Sequence, residues 1–266
     1  MRAPALALVV STVVSIGATQ SPAIAADAIG VITAAIGTPT ASGPGGDRKL
    51  AAGAPVYEDD KIAVRTGNAQ ITLDDGTRLV VGPGSTLVVD RFLMKGGNSA
   101  QKVSIKALRG TFRFITGRSA KGAYSIQTAN ATIGIRGTGF DFWSRAQTGV
   151  AVLDGSVRLC RNDNCVDLRE GCEVGRASSN ETSKLSGRVK GTAISRNLPF
   201  VLNQNSLRAA FRLPIQDCRS SLSRVRNLGG KDNPNEGRPE RDVRGGDGGD
   251  GGDGQDGQSE GRDESL

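Results

Sequence analysis

The chain has 266 residues with 34 Lys and Arg against 27 Asp and Glu, a net charge of +7, and only 4% aromatic residues. It contains no histidine, which removes Ser-His-Asp and Cys-His nucleophilic machinery and histidine-ligated metal sites. Neither a Walker-type nor a dinucleotide-type glycine loop is present in the sequence.

Residues 1–25 read as a secretory signal. Arg2 supplies the positive start, residues 5–16 the apolar stretch, and Ala23-Ile24-Ala25 the small-x-small pattern before a cut. The apolar stretch falls short of the roughly 20 residues of a membrane span. An uncleaved N-terminal anchor is the rival reading, and export with cleavage is the expectation.

From Asp27 to about Gly191, short β-branched and apolar runs alternate with Gly, Asp, Asn and Pro. The spacing predicts strands of about five residues. They fall at Ala69–Leu73, Leu79–Val81, Thr86–Val89, Val103–Ala107, Phe112–Phe114, Tyr124–Thr128, Ile133–Ile135 and Phe140–Phe142. Val150–Leu153 and Val157–Leu159 follow, with Asp154-Gly155 read as a hairpin turn between them. Helical periodicity is absent here, so the expected fold is all-β, with many short antiparallel, meandering strands forming a β-solenoid-like or sandwich core. Beyond it, residues 203–212 and 219–228 read as one or two short helices, the first stopped before Pro214. Leu207, Ala210 and Phe211 fall on one side of the first and are expected to pack on the core.

Residues 229–266 are rich in Gly and Asp and read as a disordered tail, with 5 Lys and Arg against 11 Asp and Glu. The expected organisation is therefore a signal over 1–25, a β domain over 26–195, a helical extension over 196–228 and the tail. The basic balance of residues 26–228 suits anionic surfaces, but no nucleic-acid motif accompanies it.

Cys160, Cys165, Cys172 and Cys218 make an even set, which in an exported chain favours disulfides. Cys160 and Cys165 bracket a turn-rich sequence, so the preferred pairing is Cys160–Cys165 with Cys172–Cys218. A four-thiolate zinc site is the lesser rival, because the short paired knuckles are missing. Carboxylates occur at Glu58, Asp59, Asp60, Asp74, Asp75, Asp141 and Asp154, mostly beside Gly in expected turns. No catalytic, cofactor-binding or metal-binding residue is assigned, and no enzyme is expected.

The order of the strand motifs resembles the FecR domain family. Leu50-x-x-Gly53-x-x-Val56 with Asp60 leads to Thr66-Gly67-x-Ala69 and Leu73-x-Asp75-Gly76-Thr77. Leu79 and Val81 then precede Gly82-Pro83-Gly84-Ser85, and Leu108-x-Gly110 opens a strand. Tyr124-x-Ile126-x-Thr128 precedes Ile135-Arg136-Gly137-Thr138-x-Phe140, the most specific element, and Val150-x-Val152-Leu153-Asp154-Gly155-x-Val157 closes the set. The motif residues Arg136, Gly137, Thr138 and Phe140 are expected to be structural: Gly137 for its backbone, Arg136 reaching Asp141 or Asp154, and Phe140 in the core. Known members of this kind are iron-transport regulators with a cytoplasmic anti-sigma segment and a membrane helix, neither of which is seen in this sequence. The resemblance implies a periplasmic or secreted module that binds an envelope protein partner in sensing, signalling or assembly. The alternative is a module that binds envelope glycan or lipopolysaccharide through its basic face.

Overall fold

The computed structural model describes residues 26–229, with the side chains of Thr138 and residues 224–229 excepted. The expected signal over 1–25 lies outside the described residues, as does the expected tail beyond Gly229. The fold is all-β with a few short helices near the C-terminal end of the described chain.

Strands β1 (Ala28–Ile36), β2 (Thr40–Ser42), β3 (Arg48–Lys49), β4 (Pro55–Tyr57), β5 (Lys61–Val64), β6 (Asn68–Leu73) and β7 (Arg78–Val81) are short. The next strands are not. β8 (Ser85–Gly96), β9 (Ser99–Ile115), β11 (Thr132–Ser144) and β12 (Thr148–Arg161) have 12, 17, 13 and 14 residues, well beyond the five expected. β10 (Tyr124–Thr128), β13 (Asn164–Arg169), β14 (Val174–Ala177) and β15 (Thr182–Leu185) complete the sheet.

The long strands change partners along their length. Val103–Ala107 of β9 runs parallel to β10, whereas Gly110–Ile115 pairs with β11 on one edge and Phe112–Ile115 with β7 on the other. The first half of β12 pairs with β14 and the second half with β13. One layer therefore runs β4-β1-β6-β7-β9-β11-β12-β14-β15, and a second is built on β2-β5-β8-β9-β10-β11-β12-β13. Strands β9, β11 and β12 belong to both. The arrangement is sandwich-like, without stacked parallel coils among the described residues.

Asp154-Gly155 is not a hairpin turn. It is a bend inside β12, opposite the bulge at Arg136-Gly137 of β11, where Thr138 pairs with Gly155. Gly137 and Gly155 hold φ +84° and +75°, a region disfavoured for residues with a Cβ. Two neighbouring strands thus turn the same corner side by side, which is how strands pass from one layer to the other. Composition marks both positions as Gly within a turn signal, so a bend and a reversal look alike in sequence.

Ile71, Leu79, Phe112, Phe114, Phe140, Phe142, Val150 and Val152 from one layer meet Ile62, Leu87, Ile105, Ile126, Ile133, Val157 and Leu159 from the other. Phe112 stacks on Phe142 at 4.9 Å between ring centres, and Phe114 meets Tyr124 edge-on at 5.7 Å. These aromatics concentrate the little ring area the chain possesses at the centre of its core.

The helical segment starts at Gly187, ahead of the boundary at 195 read from the sequence. It comprises α1 (Gly187–Asn197), α2 (Pro199–Leu202) and α3 (Gln216–Gly229). The helix expected over 203–212 is absent: that stretch turns at Asn205-Ser206 and then forms a single 3-10 turn at Ala209–Phe211. Besides local turn bonds such as Leu207 N to Gln204 O at 2.9 Å, it is tied to the sheet through Gln70. Gln70 Oε1 accepts from Arg208 N at 2.8 Å, and Gln70 Nε2 donates to Ser206 O at 3.0 Å. Leu207 and Phe211 pack with Val80 and Phe200 on the outer face of the first layer. A further cluster, with Trp143, Ala151, Leu153, Val174, Ile194, Leu198 and Val201, extends that cover.

Candidate functional site

Three carboxylates, Asp60, Asp75 and Asp141, have no exposed surface. Each is bound to donors that the fold supplies. Asp60 is clasped by Arg48 and accepts from Tyr57 N at 2.8 Å, while the Arg48 guanidinium lies 4.9 Å from the Tyr57 ring centre. Asp75, from the Asp-Gly-Thr motif, accepts from Thr77 N and Thr77 Oγ1, each at 2.9 Å. It also accepts from Ser119 Oγ at 2.6 Å and Tyr124 Oη at 2.9 Å. Tyr124 Oη in turn accepts from Gly117 N and Ser119 N, each at 3.1 Å. Two motifs some fifty positions apart are thereby tied into one buried network. Tyr124→Phe leaves an acceptor and two amides short of a partner, and is expected to lower stability by about 1–3 kcal/mol in urea unfolding. An unchanged midpoint would show that the network carries no weight.

Asp141 faces Arg113 from the neighbouring strand β9, with Nε to Oδ1 at 2.6 Å and Nη2 to Oδ2 at 2.9 Å. Arg113 is itself fully buried, and its Nη1 donates to Gln204 Oε1 and to Phe211 O at 3.1 Å. Burial pushes the Asp141 carboxyl above the usual carboxylate range, against the opposing pull of Arg113. Arg113 and Asp141 belong to one cross-strand row, Gln70-Val80-Arg113-Asp141-Ala151-Val174, on the outer face of the first layer.

Arg136, expected to reach Asp141 or Asp154, does not hold Asp141, whose carboxylate is taken by Arg113. The reason is the bend: Arg136 lies before the bulge, on the arm of β11 that belongs to the second layer. It is exposed and lines a shallow groove with Asp167, Arg169, Glu170 and Glu173. Asp167 is held below the usual carboxylate range, chiefly by hydrogen bonds from Arg158, with Arg136 and Arg169 adding to the positive field. Phe140 lies in the core, and the Thr138 side chain lies outside the described residues.

Cys160 and Cys165 form a disulfide between directly opposed residues of β12 and β13, and Cys172 and Cys218 form a second that joins the sheet to α3. No group of three or more metal-ligating carboxylates or cysteines occurs among the described residues.

One cleft on the surface is built differently from the balanced groove at Arg136. Its volume is about 500 Å³, and it lies between the β11–β12 turn, β14 and α1. Arg145, Arg176, Arg188 and Arg196 line it together with Trp143 and Val189, and no carboxylate does. On α1, Arg188, Thr192 and Arg196 recur every four residues and so share one face. Gly149 allows this site to close: a Cβ there would collide with the six-membered ring of Trp143, which therefore rests on the β12 backbone. Sequence reading missed the cleft, because its arginines lie up to 51 positions apart and only the fold gathers them.

The family model described as FecR protein matches residues 60–158. This segment is similar to FecR domains. It starts at the clasped Asp60 and ends in the second arm of β12, so it spans the strands common to both layers. Two crystal structures of a candidate anti-sigma factor from Parabacteroides distasonis ATCC 8503, at 1.65 and 2.50 Å, are similar at 19% identity. They match over 51% of this chain and 63–64% of theirs, with TM-scores of 0.38 and 0.39. The chain thus spans less than two thirds of those proteins. No curated protein matches the sequence.

Proposed function

We propose that this is an exported, non-enzymatic FecR-domain protein that binds an envelope protein partner in sensing, signalling or assembly. The FecR match over residues 60–158 carries the reading. Its buried carboxylates support the non-enzymatic part, since Asp60, Asp75 and Asp141 are saturated by donors inside the fold. A glycosidase-type mechanism would need a pair of carboxyls open to substrate. Two disulfides support export, because such bonds persist in oxidising compartments. No described helix is long and apolar enough to cross a membrane.

The test is an affinity capture from envelope extract, using the chain from about Ala26 at low and high salt. A single protein retained in stoichiometric amount through high salt is expected. Capture of lipopolysaccharide or glycan alone, lost as salt rises, would replace this reading with that of a surface-binding module.

A further inference from the structure

Three exposed ion pairs occur on the described surface, Arg158 with Asp167, Lys106 with Asp90 and Lys184 with Glu173. The cleft beside α1 gathers four arginines around one cavity with no carboxylate in its lining. None of Arg145, Arg176, Arg188 and Arg196 takes part in an ion pair among the described residues. Arg145 Nη1 donates to Asn197 Oδ1 at 2.8 Å, which steadies its guanidinium at the mouth. Arg176 Nε is buried and has no hydrogen-bond acceptor. Like charges gathered around a low-dielectric floor repel one another and focus a positive potential, which an incoming anion relieves. The floor itself is apolar, with the Trp143 ring and Ala193, and Val189 beside it is 55% exposed.

We propose that this cleft receives an acidic peptide segment of the protein partner, with carboxylates on the guanidiniums and an apolar side chain against Trp143 and Val189. The inference rests on the partner-binding reading. Arg188 and Arg196 lie eight residues apart on α1, an axial separation of about 12 Å at 1.5 Å per residue. That span exceeds a single phosphate and suits several residues of an extended chain, at about 3.3 Å each. Arginine, with its planar fork, favours two-point binding of carboxylates over simple charge attraction.

Trp143 is the single tryptophan of the chain, so its emission reports on the cleft directly. The full chain is titrated with a synthetic peptide carrying glutamates on both sides of a central phenylalanine. A saturable change in emission is expected, weakened about a hundredfold in the double variant R188E/R196E, where attraction becomes repulsion. Both arginines are exposed, and an unchanged circular dichroism spectrum verifies that the variant is folded. Equal binding by the variant, or no saturable response, overturns the proposal. So does a response confined to inorganic phosphate or phosphatidylglycerol vesicles, which assigns the arginines to a phosphate group instead. Envelope capture separates the two levels. A partner held equally by wild type and R188E/R196E sinks the cleft and leaves partner binding intact. If neither protein captures a partner, the functional reading fails, and the titration alone decides whether the cleft takes an acidic chain.

Discussion

Asp141→Asn is expected to destabilise the protein by about 3–5 kcal/mol, because it strands the Arg113 charge in a site without solvent. Arg113 retains only neutral acceptors, Gln204 Oε1 and Phe211 O, which do not compensate a buried guanidinium. Removing both partners should be gentler. R113M/D141L replaces two desolvated charges with apolar volume between Val80 and Ala151, and its loss should be smaller than that of either single change. Urea unfolding of the singles and the double decides this; additive losses would mean that the two side chains are not coupled. The pH dependence has a definite sign. A carboxyl held low in the folded state contributes stability above its unfolded value and loses it as pH falls through its folded value. Asp167, held low chiefly by hydrogen bonds from Arg158, behaves in this way.

The second large effect concerns the bond between Cys172 and Cys218. It closes a loop of 46 positions, and chain-entropy arithmetic for such a loop gives a stabilisation of about 4 kcal/mol. The Cys160–Cys165 bond closes a separation of 5 between residues already opposed in a β ladder, and the same arithmetic gives about 2 kcal/mol. C172A/C218A should therefore lower the urea midpoint markedly more than C160A/C165A. The losses should also differ in kind, since the first releases α3 from the sheet while the second leaves the β12–β13 pairing in place. Amide exchange along α3 reads that difference, and equal exchange in both variants would refute it.

Much of this was legible in the sequence, and the failures share one cause. Alternation located the inward residues of the strands, including Phe112, Phe114, Phe140 and Phe142. It also implied that their neighbours face water. For Arg113, set between two phenylalanines, that inference fails because the helical segment covers the outer face of the first layer. A hint was present: Leu79-Val80-Val81 and Val150-Ala151-Val152-Leu153 are apolar without alternation, the signature of strands buried on both faces. Asp154-Gly155 misled differently, since Gly after Asp serves a bend as well as a reversal, and only the pairing of β12 with β11 on both sides distinguishes them. The arginine cleft had no local signal at all. Its residues come from a turn, a strand and a helix.

Strands β9, β11 and β12 run through both layers without interruption. The layers are consequently not separable bodies joined by a linker. Peeling one away would break hydrogen bonds within the same strands that build the other, so loosening at either end is penalised at both. Opening by parts is suppressed, and melting becomes one event. A load applied to one layer is borne along continuous backbone to the other, with no hinge in between to absorb it.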